Sequence, residues 1–600
     1  MSAKAFKVKI PFTRGDVDCG LTLFCQISGT ILGVITALQT VLSSPFKGSI
    51  TEPAQLEEMN ALINNIIYGK IVSGMCMTMT FGTFYYGYMA VRLMRQERRN
   101  DVCCLPYGVN TPAAFAFVFN IVAKAAQTAA AKGMSYEDGI TYAWRVGCVA
   151  NLVAGIIATL VGFAGPHIVK VAPKASLLIA LAGIGFTWLG IGQVIVCYKA
   201  GHVGLLPLGI AIVGFFSGVR TAPIPTSVVV MLAGAAAGWG SGMGWPAGEA
   251  IKAGGTWEAV ARSTSSFSFY VPHVLDAESF SAIPQVMADS ISIILPVSLT
   301  GAVNTLVSVY SSHETGDVFP IRESLIVDGL TTVVAALFGS PLGTCVYIGH
   351  PQFKAQGGRF YYSFYNWAAF CLLAVTGLFA TVNAIVPPYA IAPIILFVGL
   401  AINHEAFSCT PEHQIPAAVL GLFPPVADWV IAKWPHGQKP PAELAAIAHG
   451  ALLVGLLWTS IAVQVIQRRF KHAAVWAMIA SAMSAFGLIH QSKADLTFRA
   501  FTKGVGGFGT SPCAFTIGYL SQAIAFGLLA VLQGGGSSRV PPPRSDHDEE
   551  IEAEELGHEL GRVRSESTTI SDAFNQTERH GEDDLQSITE SSEDDSGNNH

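Results

Sequence analysis

Apolar segments of about 20 residues recur through the first 533 positions of this 600-residue chain. Only 13% of the residues are charged and 51% are hydrophobic, whereas soluble domains carry about 25% charged residues. Segments of this length and polarity match bilayer-spanning helices, so the sequence predicts an all-α polytopic membrane protein. The segments read as 20–43, 65–93, 105–127, 141–164, 175–197, 203–219, 224–243, 289–312, 324–339, 341–358, 361–384, 387–404, 415–433, 444–467, 473–491 and 514–533.

Changes of composition divide the chain into five parts. Residues 1–19 are polar and basic without a cleavable signal peptide, and we expect them to form a cytoplasmic N-terminal segment. Residues 20–243 form a first membrane repeat, the Ser-rich stretch 244–288 a linker, and residues 289–533 a second membrane repeat. Residues 534–600 hold 18 acidic residues against 5 arginines, a balance of −13, which predicts a disordered acidic tail.

Basic residues collect in alternate loops, at the N-terminus, at 92–99, at 170–174 and at Arg220. Because cytoplasmic loops are enriched in Lys and Arg, this pattern places the N-terminus in the cytoplasm. The cluster 468–471 is cytoplasmic as well if 415–433 counts as a span, although the Pro-rich stretch 411–440 could instead lie on the surface. We expect the C-terminus to be cytoplasmic too. We expect an integral multi-pass protein of the plasma membrane rather than of an organelle.

The tenth apolar segment is broken by Pro341 and Gly343 and carries a His and a Lys inside SPLGTCVYIGHPQFKAQGGR. Irregular backbone at membrane depth survives only where it faces protein or a water-filled cavity. The third segment begins LPYGVNTP and repeats this Pro-x-Gly break seven segments earlier. An odd offset inverts one half relative to the other, and inverted repeats with paired broken helices are typical of secondary transporters. The sequence therefore predicts a substrate site where the two breaks meet.

Polar side chains near these breaks are the candidate substrate ligands, although a merely kinked third helix is the simpler alternative. In the tenth segment His350 can carry a proton and Lys354 would favour an electron-rich substrate, while a structural histidine and a snorkelling lysine are the alternatives. Phe115 and Phe117 are candidates for stacking on a planar ligand, with lipid-facing or core packing as the alternative. The other candidates at the two breaks are Tyr107, Asn110, Thr111, Thr344 and Tyr347.

The eighth segment, LPVSLTGAVNTLVSVYSSHETGD, carries a polar stripe. At about 100° per residue, Thr300, Asn304, Ser308 and Ser311 share one face, and Glu314 lies at its edge. The stripe either lines a substrate pathway, with Asn304 and Ser308 as ligands, or packs against a neighbouring helix. We assign ion coupling to Glu314, which could instead be a loop residue, and to Asp328, which could instead cap a helix.

The sequence excludes several function classes. It shows no metal-ligand spacing, nucleotide-binding loop or hydrolase motif, and the 11 cysteines are scattered through apolar runs. We therefore expect no enzyme activity, no catalytic residues, no metal and no cofactor. The expected partners are a small-molecule substrate, a coupling proton or sodium ion and the lipid bilayer, with a homodimer left open and no nucleic acid. A receptor or scaffold that acts through the acidic tail is a further alternative.

Three stretches carry a resemblance to the nucleobase transporter superfamily, in particular its xanthine/uracil and adenine/guanine permeases (nucleobase:cation symporter-2 type). ALFGSPLGTCVYIGHPQFKAQGGR is similar to the broken tenth helix of that group, IVDGLTTVVAALFGS to the ninth and LPYGVNTPAAFAF to the third. The resemblance extends in outline over residues 15–490. It implies a 14-helix, seven-plus-seven inverted repeat with core and gate domains, and short extended segments in helices 3 and 10.

The resemblance also implies proton- or sodium-coupled uptake of nucleobases bound between the third and tenth helices, beside the eighth. Many relatives carry an acidic residue where Asn304 aligns and a glutamate near Gly349–His350, and both are missing here. The chain thus looks like a divergent member. The alternative function is an anion transporter or exchanger on the same fold, for bicarbonate, sulfate, borate or an organic anion.

Overall fold

The chain folds into helices joined by short loops and by a single two-stranded sheet within the residues that the structure describes. This computed structural model describes residues 10, 12–50, 52–171, 174–217, 226–241, 260–261, 263, 267–347, 349–408, 410–434, 438–491 and 512–534. The described residues up to Ile466 and from Phe470 to Ala530 belong to one compact unit, and residues 467–469 and 531–534 belong to a second.

The N-terminal half alternates long helices with one short strand. Its elements are α1 (Arg14–Ser43), α2 (Pro53–Asn64), α3 (Ser73–Glu97), β1 (Tyr107–Val109), α4 (Thr111–Phe117), α5 (Ala123–Ala131), α6 (Tyr136–Val171), α7 (Lys174–Phe186), α8 (Gly192–Lys199), α9 (Gly201–Phe216) and α10 (Thr226–Ser241). Wider π-helical turns at Asn65–Val72, Val118–Val122 and Thr187–Ile191 join α2 to α3, α4 to α5 and α7 to α8. Each of these pairs is therefore one continuous helix.

The C-terminal half again contains one strand among its helices. Its elements are α11 (Ile283–Glu314), α12 (Ile321–Leu337), β2 (Thr344–Val346), α13 (His350–Ala355), α14 (Tyr361–Val375), α15 (Leu378–Ile385), α16 (Pro388–Ser408), α17 (Ile415–Ala432), α18 (Ala442–Ala448), α19 (Ala451–Ile466), α20 (Phe470–Ala485) and α21 (Pro512–Gly534). Helix α11 begins inside the stretch predicted as linker, after a 3₁₀ turn at Ala277–Ala282. Residues 244–259 of that linker and the tail from 535 lie outside the described part.

Helix length and composition confirm a polytopic membrane protein. Among the described residues, eight helices are long and apolar enough to cross a membrane, or up to ten if each of two bent pairs counts as one span. The bends correct the prediction of single straight spans at 361–384 and 444–467, because α14 meets α15 at 93° and α18 meets α19 at 79°. Gly377 and Gly450, both at positive φ, form these corners. The count of fourteen helices and the core and gate domains stay predictions.

Helices α6 and α12 pack closely because glycine lies at several points of their contact. A Cβ atom added at Gly155 would lie 2.7 Å from the backbone nitrogen of Val333, and one at Gly162 would lie 2.9 Å from that of Ile326. A Cβ at Gly329 would collide with the backbone of Thr159. Small residues let membrane helices approach until their backbones touch. This contact fixes the position of α12, which carries Asp328.

We expect Gly329→Val to destabilise the protein, because the added carbons cannot fit against Thr159 without separating α6 from α12. Overpacking of this kind costs about 1–3 kcal/mol. The measurement is the midpoint of thermal unfolding in mild detergent. Gly518→Val on α21 is the matched control, since nothing lies within 4 Å of its added Cβ. Equal midpoints for the two variants would contradict the tight contact.

Candidate functional site

The two predicted breaks meet as an antiparallel strand pair. Tyr107 faces Val346, Gly108 faces Cys345 and Val109 faces Thr344 across β1 and β2. Two more backbone bonds extend the pair, from Asn110 N–H to the Gly343 carbonyl at 2.9 Å and from Tyr347 N–H to the Pro106 carbonyl at 2.8 Å. Each broken segment thereby satisfies backbone groups that lipid would leave without partners.

A chain of hydroxyl groups ties this strand pair to α3 and α12. The Tyr107 hydroxyl donates to Thr344 Oγ1 at 2.5 Å, and Thr344 Oγ1 lies 2.9 Å from Thr78 Oγ1. The Thr78 hydroxyl donates to the Thr331 carbonyl at 2.8 Å. Each hydroxyl has one hydrogen to give, so the direction of the chain is fixed by the carbonyl at its end. Thr344 and Tyr107 therefore hold the strand pair in place, and their hydroxyls are committed to protein partners.

Asp328 is the carboxylate at the centre of this region. Its oxygens accept hydrogen bonds from the Tyr86 hydroxyl at 2.5 Å, the Thr305 hydroxyl at 2.5 Å and the Val346 N–H at 3.1 Å. These donors come from α3, α11 and β2, so a single side chain links three elements. All three are neutral, and the structure shows no ion pair to Asp328 within the described ranges. Asp328 is therefore a buried carboxyl group with neutral donors and without a counter-cation to fix its charge.

A small cavity of about 50 Å³ borders Asp328 and combines polar with apolar lining residues. A water molecule takes about 30 Å³ of liquid volume, so the cavity has room for one or two small groups. Polar side chains from α6, α11 and α12 line it, together with β2 and the first turn of α4. The predicted ligands Asn110 and Thr344 are among its lining residues, and so is Phe117.

The start of α4 also faces this cavity. Asn110 is its N-cap: the side-chain Oδ1 accepts from the Ala113 N–H at 3.2 Å. Because α4 continues through α5 to Ala131, a helix of 21 residues presents its positive end there. Thr111 instead bonds Thr30 at 3.1 Å and Tyr347 at 3.2 Å. Thr111 and Tyr347 thus join α1 to the two breaks and are not lining residues of the cavity.

The predicted polar stripe of α11 contributes less to the cavity than expected. Asn304 reaches across to β2, where its Nδ2 lies 3.8 Å from the Cys345 sulfur. Ser308 and Ser311 donate back to carbonyls of their own helix, at 2.8 Å in each case. The side chains of Thr300 and Glu314 lie outside the described part, so ion coupling by Glu314 stays a prediction. Thr305, absent from the predicted ligands, bonds Asp328 instead.

His350 and Lys354 lie in a separate ionic cluster around Asp317, which we call the Asp317 cluster. Lys354 Nζ approaches Asp317 at 2.8 Å and Arg99 approaches it at 2.5 Å. His350 Nε2 lies 3.1 Å from the Cys103 carbonyl and 3.3 Å from Asp317. The cluster ties the loops after α3 and α11 to α13. Neither predicted ligand lines the cavity beside Asp328.

His350 has partners at both ring nitrogens. Its Nε2 lies against the Cys103 carbonyl and Asp317. Its Nδ1 lies 3.4 Å from the Thr315 hydroxyl oxygen, which donates its hydrogen to the Ser312 carbonyl at 2.8 Å. The buried His350 ring thus joins the loop after α3 to the loop after α11.

The charge of Asp317 is held by these partners. Burial alone would raise the pKa of its carboxyl group. The hydrogen bonds that it accepts, first from His350 and Lys354 and then from the Cys103 N–H and Arg99, outweigh burial and lower the pKa to about 2. Asp317, which is not among the predicted site residues, is therefore a structural anion at neutral pH.

Sequence reasoning also missed the contribution of α3. Thr78 and Tyr86 both bond the central residues, and the spacing Gly74, Thr78, Gly82, Tyr86 repeats every fourth position. Such a stripe of small and hydroxyl residues in an apolar helix is the signal that could have identified this face. Gly82 permits it sterically, because a Cβ there would collide with the Tyr107 ring.

Comparisons with known proteins find similarity among solved structures and none in sequence. No family model matches the chain, and no curated protein matches it. Among solved structures, the chain is similar to the transmembrane domain of a cyanobacterium bicarbonate transporter, BicA, with 15% sequence identity and a TM-score of 0.39. The similarity covers 76% of this chain and 99% of that domain. At this identity and score it does not indicate a substrate.

We expect Asp317→Asn to lower the free energy of unfolding at pH 7 by about 2–3 kcal/mol, because it leaves the cations of the Asp317 cluster without their anion. The folded pKa of about 2 lies below the ordinary value of 3.8. The stabilisation is therefore complete above about pH 4 and is lost as the pH falls toward 2. The difference between wild type and variant should shrink over that range.

The measurement is unfolding in mild detergent at pH 7 and at pH 3. Asp101→Asn is the matched control, since Asp101 bonds the same Arg99 but its side chain is 58% exposed. An exposed pair contributes at most about 1 kcal/mol. Equal losses in the two variants, or a loss from Asp317→Asn that does not depend on pH, would contradict the assigned role.

Proposed function

We propose that this protein is a secondary active transporter that binds a small polar solute in the cavity beside Asp328. The observation that carries the proposal is a cavity where two apolar helices are broken, with several polar side chains in a mostly apolar lining and a carboxyl group that has neutral donors only. Broken helices that meet near the membrane midplane are the usual site of alternating access. Asp328 is then the group that couples an ion to the solute.

A proton is the coupling ion that the site favours. A carboxylic acid can release its proton and keep its three donors as a carboxylate, so Asp328 can exchange a proton without rearrangement of Tyr86 or Thr305. Sodium would need several oxygen ligands converging on one point. Asp328 is the one carboxyl group among the residues that line the described cavity, and its oxygens already accept three hydrogen bonds. Replacement of sodium by choline in the transport assay tests this choice.

The substrate that the cavity favours is a compact anion, such as bicarbonate or another small oxyanion. About 50 Å³ admits a few non-hydrogen atoms. The positive end of α4 faces the cavity and would interact favourably with negative charge. An anion beside Asp328 requires the protonated acid, because two like charges at this distance repel strongly. This requirement would couple the entry of one anion to that of one proton.

A nucleobase is the second candidate, and the position of Phe117 is the observation that favours it. The ring borders the same cavity and could stack on a planar base. Amide groups at Asn110 and Asn151, also lining residues, can both donate and accept hydrogen bonds. A base is larger than the present cavity, so this substrate would require α11 to move away from the strand pair.

We expect Asp328→Asn to abolish proton-driven accumulation, because an amide of the same shape cannot carry the coupling proton. In proteoliposomes, an inward gradient of one pH unit should drive about tenfold accumulation at one proton per solute. The variant should accumulate none and should retain exchange of labelled for unlabelled solute. Glu57→Gln, at an exposed carboxylate of α2, is the control. Undiminished accumulation by Asp328→Asn would exclude Asp328 as the coupling group.

Substrate class is tested by uptake of bicarbonate, sulfate, borate, uracil, xanthine and adenine in the same vesicles. For a compact anion, we expect Phe117→Leu to leave the KM within about threefold, because the substrate makes no stacking contact. For a base, the lost stacking contact should raise the KM by about tenfold, since such a contact is worth about 1–3 kcal/mol. Absence of transport across the whole panel would refute the proposed function.

A further inference from the structure

A groove of about 480 Å³ runs along the outer face of α12, between that helix and α3. It is distinct from the cavity beside Asp328. The lining residues along α12 recur at helical spacing from Pro320 to Val334. At about 1.5 Å per residue, this makes the groove about 20 Å long. The side chains along it are open to the surroundings, with Phe81 51% exposed and Leu330 50% exposed. In a membrane protein, a groove of this shape lies open to lipid.

The groove changes from charged to apolar along its length. Arg322 and Glu323 lie at the start of α12, and Tyr85 of α3 lies beside them. We call this charged end the mouth of the groove. Beyond this mouth the wall of α12 is mostly apolar, formed by Ile326, Val327, Leu330 and Val334. A phospholipid has the same two parts in the same order, a polar headgroup and a long apolar chain.

The mouth carries a net positive charge. Glu323 forms an ion pair with Arg92, whose two nitrogens donate to its two oxygens, so its charge is neutralised. It also accepts a hydrogen bond from the Tyr85 hydroxyl at 2.9 Å. Arg322 instead lies over the Phe163 ring, 5.4 Å from its centre, and the structure shows no ion pair to Arg322 in the ranges that it describes. The positive end of α12, which begins at Ile321, adds to this charge. The mouth is thus suited to an anionic headgroup.

We propose that this groove is a binding site for an anionic phospholipid, with one acyl chain along α12 and the phosphate at Arg322. The 20 Å length suits an acyl chain, and the charge at one end selects the headgroup. A second copy of this chain is a poorer occupant, because a narrow groove with a charged mouth needs a long apolar insert that ends in an anion. The transported solute is excluded as well, since the groove lacks polar groups along most of its length.

The test compares spin-labelled phosphatidylglycerol with spin-labelled phosphatidylcholine on the full chain reconstituted in phosphatidylcholine vesicles. The readout is the immobilised fraction of each label. An Arg near an anionic headgroup is worth about 1 kcal/mol, so we expect about a fivefold preference for phosphatidylglycerol. The preference should fall toward one in 1 M salt, where the screening length is about 3 Å. Equal immobilisation of the two lipids by the wild-type protein would overturn the proposal.

Variants locate the site. Arg322→Gln should abolish the preference and Arg322→Lys should largely keep it, while the pair of Arg92 and Glu323 stays intact in both. Leu330→Trp, which fills the groove with apolar volume, should remove about one immobilised lipid per chain. Leu372→Trp, at a 61% exposed residue of α14, is the matched control. A preference that survives Arg322→Gln, or a change of oligomeric state caused by Leu330→Trp, would overturn the lipid assignment.

Discussion

Everything in this protein's interior depends on the pairing of two broken membrane segments. Pro106 and Pro341 interrupt the third and tenth apolar segments, and the exposed backbone groups would cost several kcal/mol each in hydrocarbon. Each break supplies the partners that the other needs, through β1 and β2 and the two backbone bonds that extend them. The strand pair of β1 and β2 is anchored to α3 by the hydroxyl chain to Thr78 and to α12 by the bond from Val346 N–H to Asp328. Because α4 begins two residues after β1, the strand pair also fixes the position of the α4 N-terminus.

Two buried aspartates show how neighbours decide what a carboxyl group does. Asp317 accepts hydrogen bonds from Arg99, His350 and Lys354, and these partners keep it charged and fix three elements together. Asp328 accepts hydrogen bonds from two hydroxyls and one backbone N–H, none of which is a cation. The first carboxyl group is held by charged partners, whereas the second lies beside a cavity without a counter-cation. The charge of the donors thus separates the two sites.

Much of the fold was predictable because hydrophobicity and helix breakers are local signals. The apolar segments, the two Pro-x-Gly breaks and the convergence of Asn110 with Thr344 all follow from stretches of fewer than about 25 residues. The ionic partners around Lys354 were not predictable in this way. Asp317 lies 37 positions earlier in the chain, and Arg99, which shares Asp317 with Lys354, lies just after the end of α3. A cation in an apolar segment indicates a buried partner or a ligand, and the pattern alone does not separate the two. The bends at Gly377 and Gly450 were missed because a single glycine also fits inside a straight helix.

Helix α12 shows how the 100° step of an α-helix lets consecutive residues serve different surroundings. Asp328 points inward and links α3, α11 and β2. Gly329 lies against Thr159 of α6, where no side chain fits. Leu330 points outward and lines the groove beside α3. One helix thus has a buried carboxyl group, a close helix contact and an open groove on three of its faces. The cavity beside Asp328 is bordered by α6, α11 and the strand pair, whereas the contact at Gly329 one residue later leaves no room for a side chain.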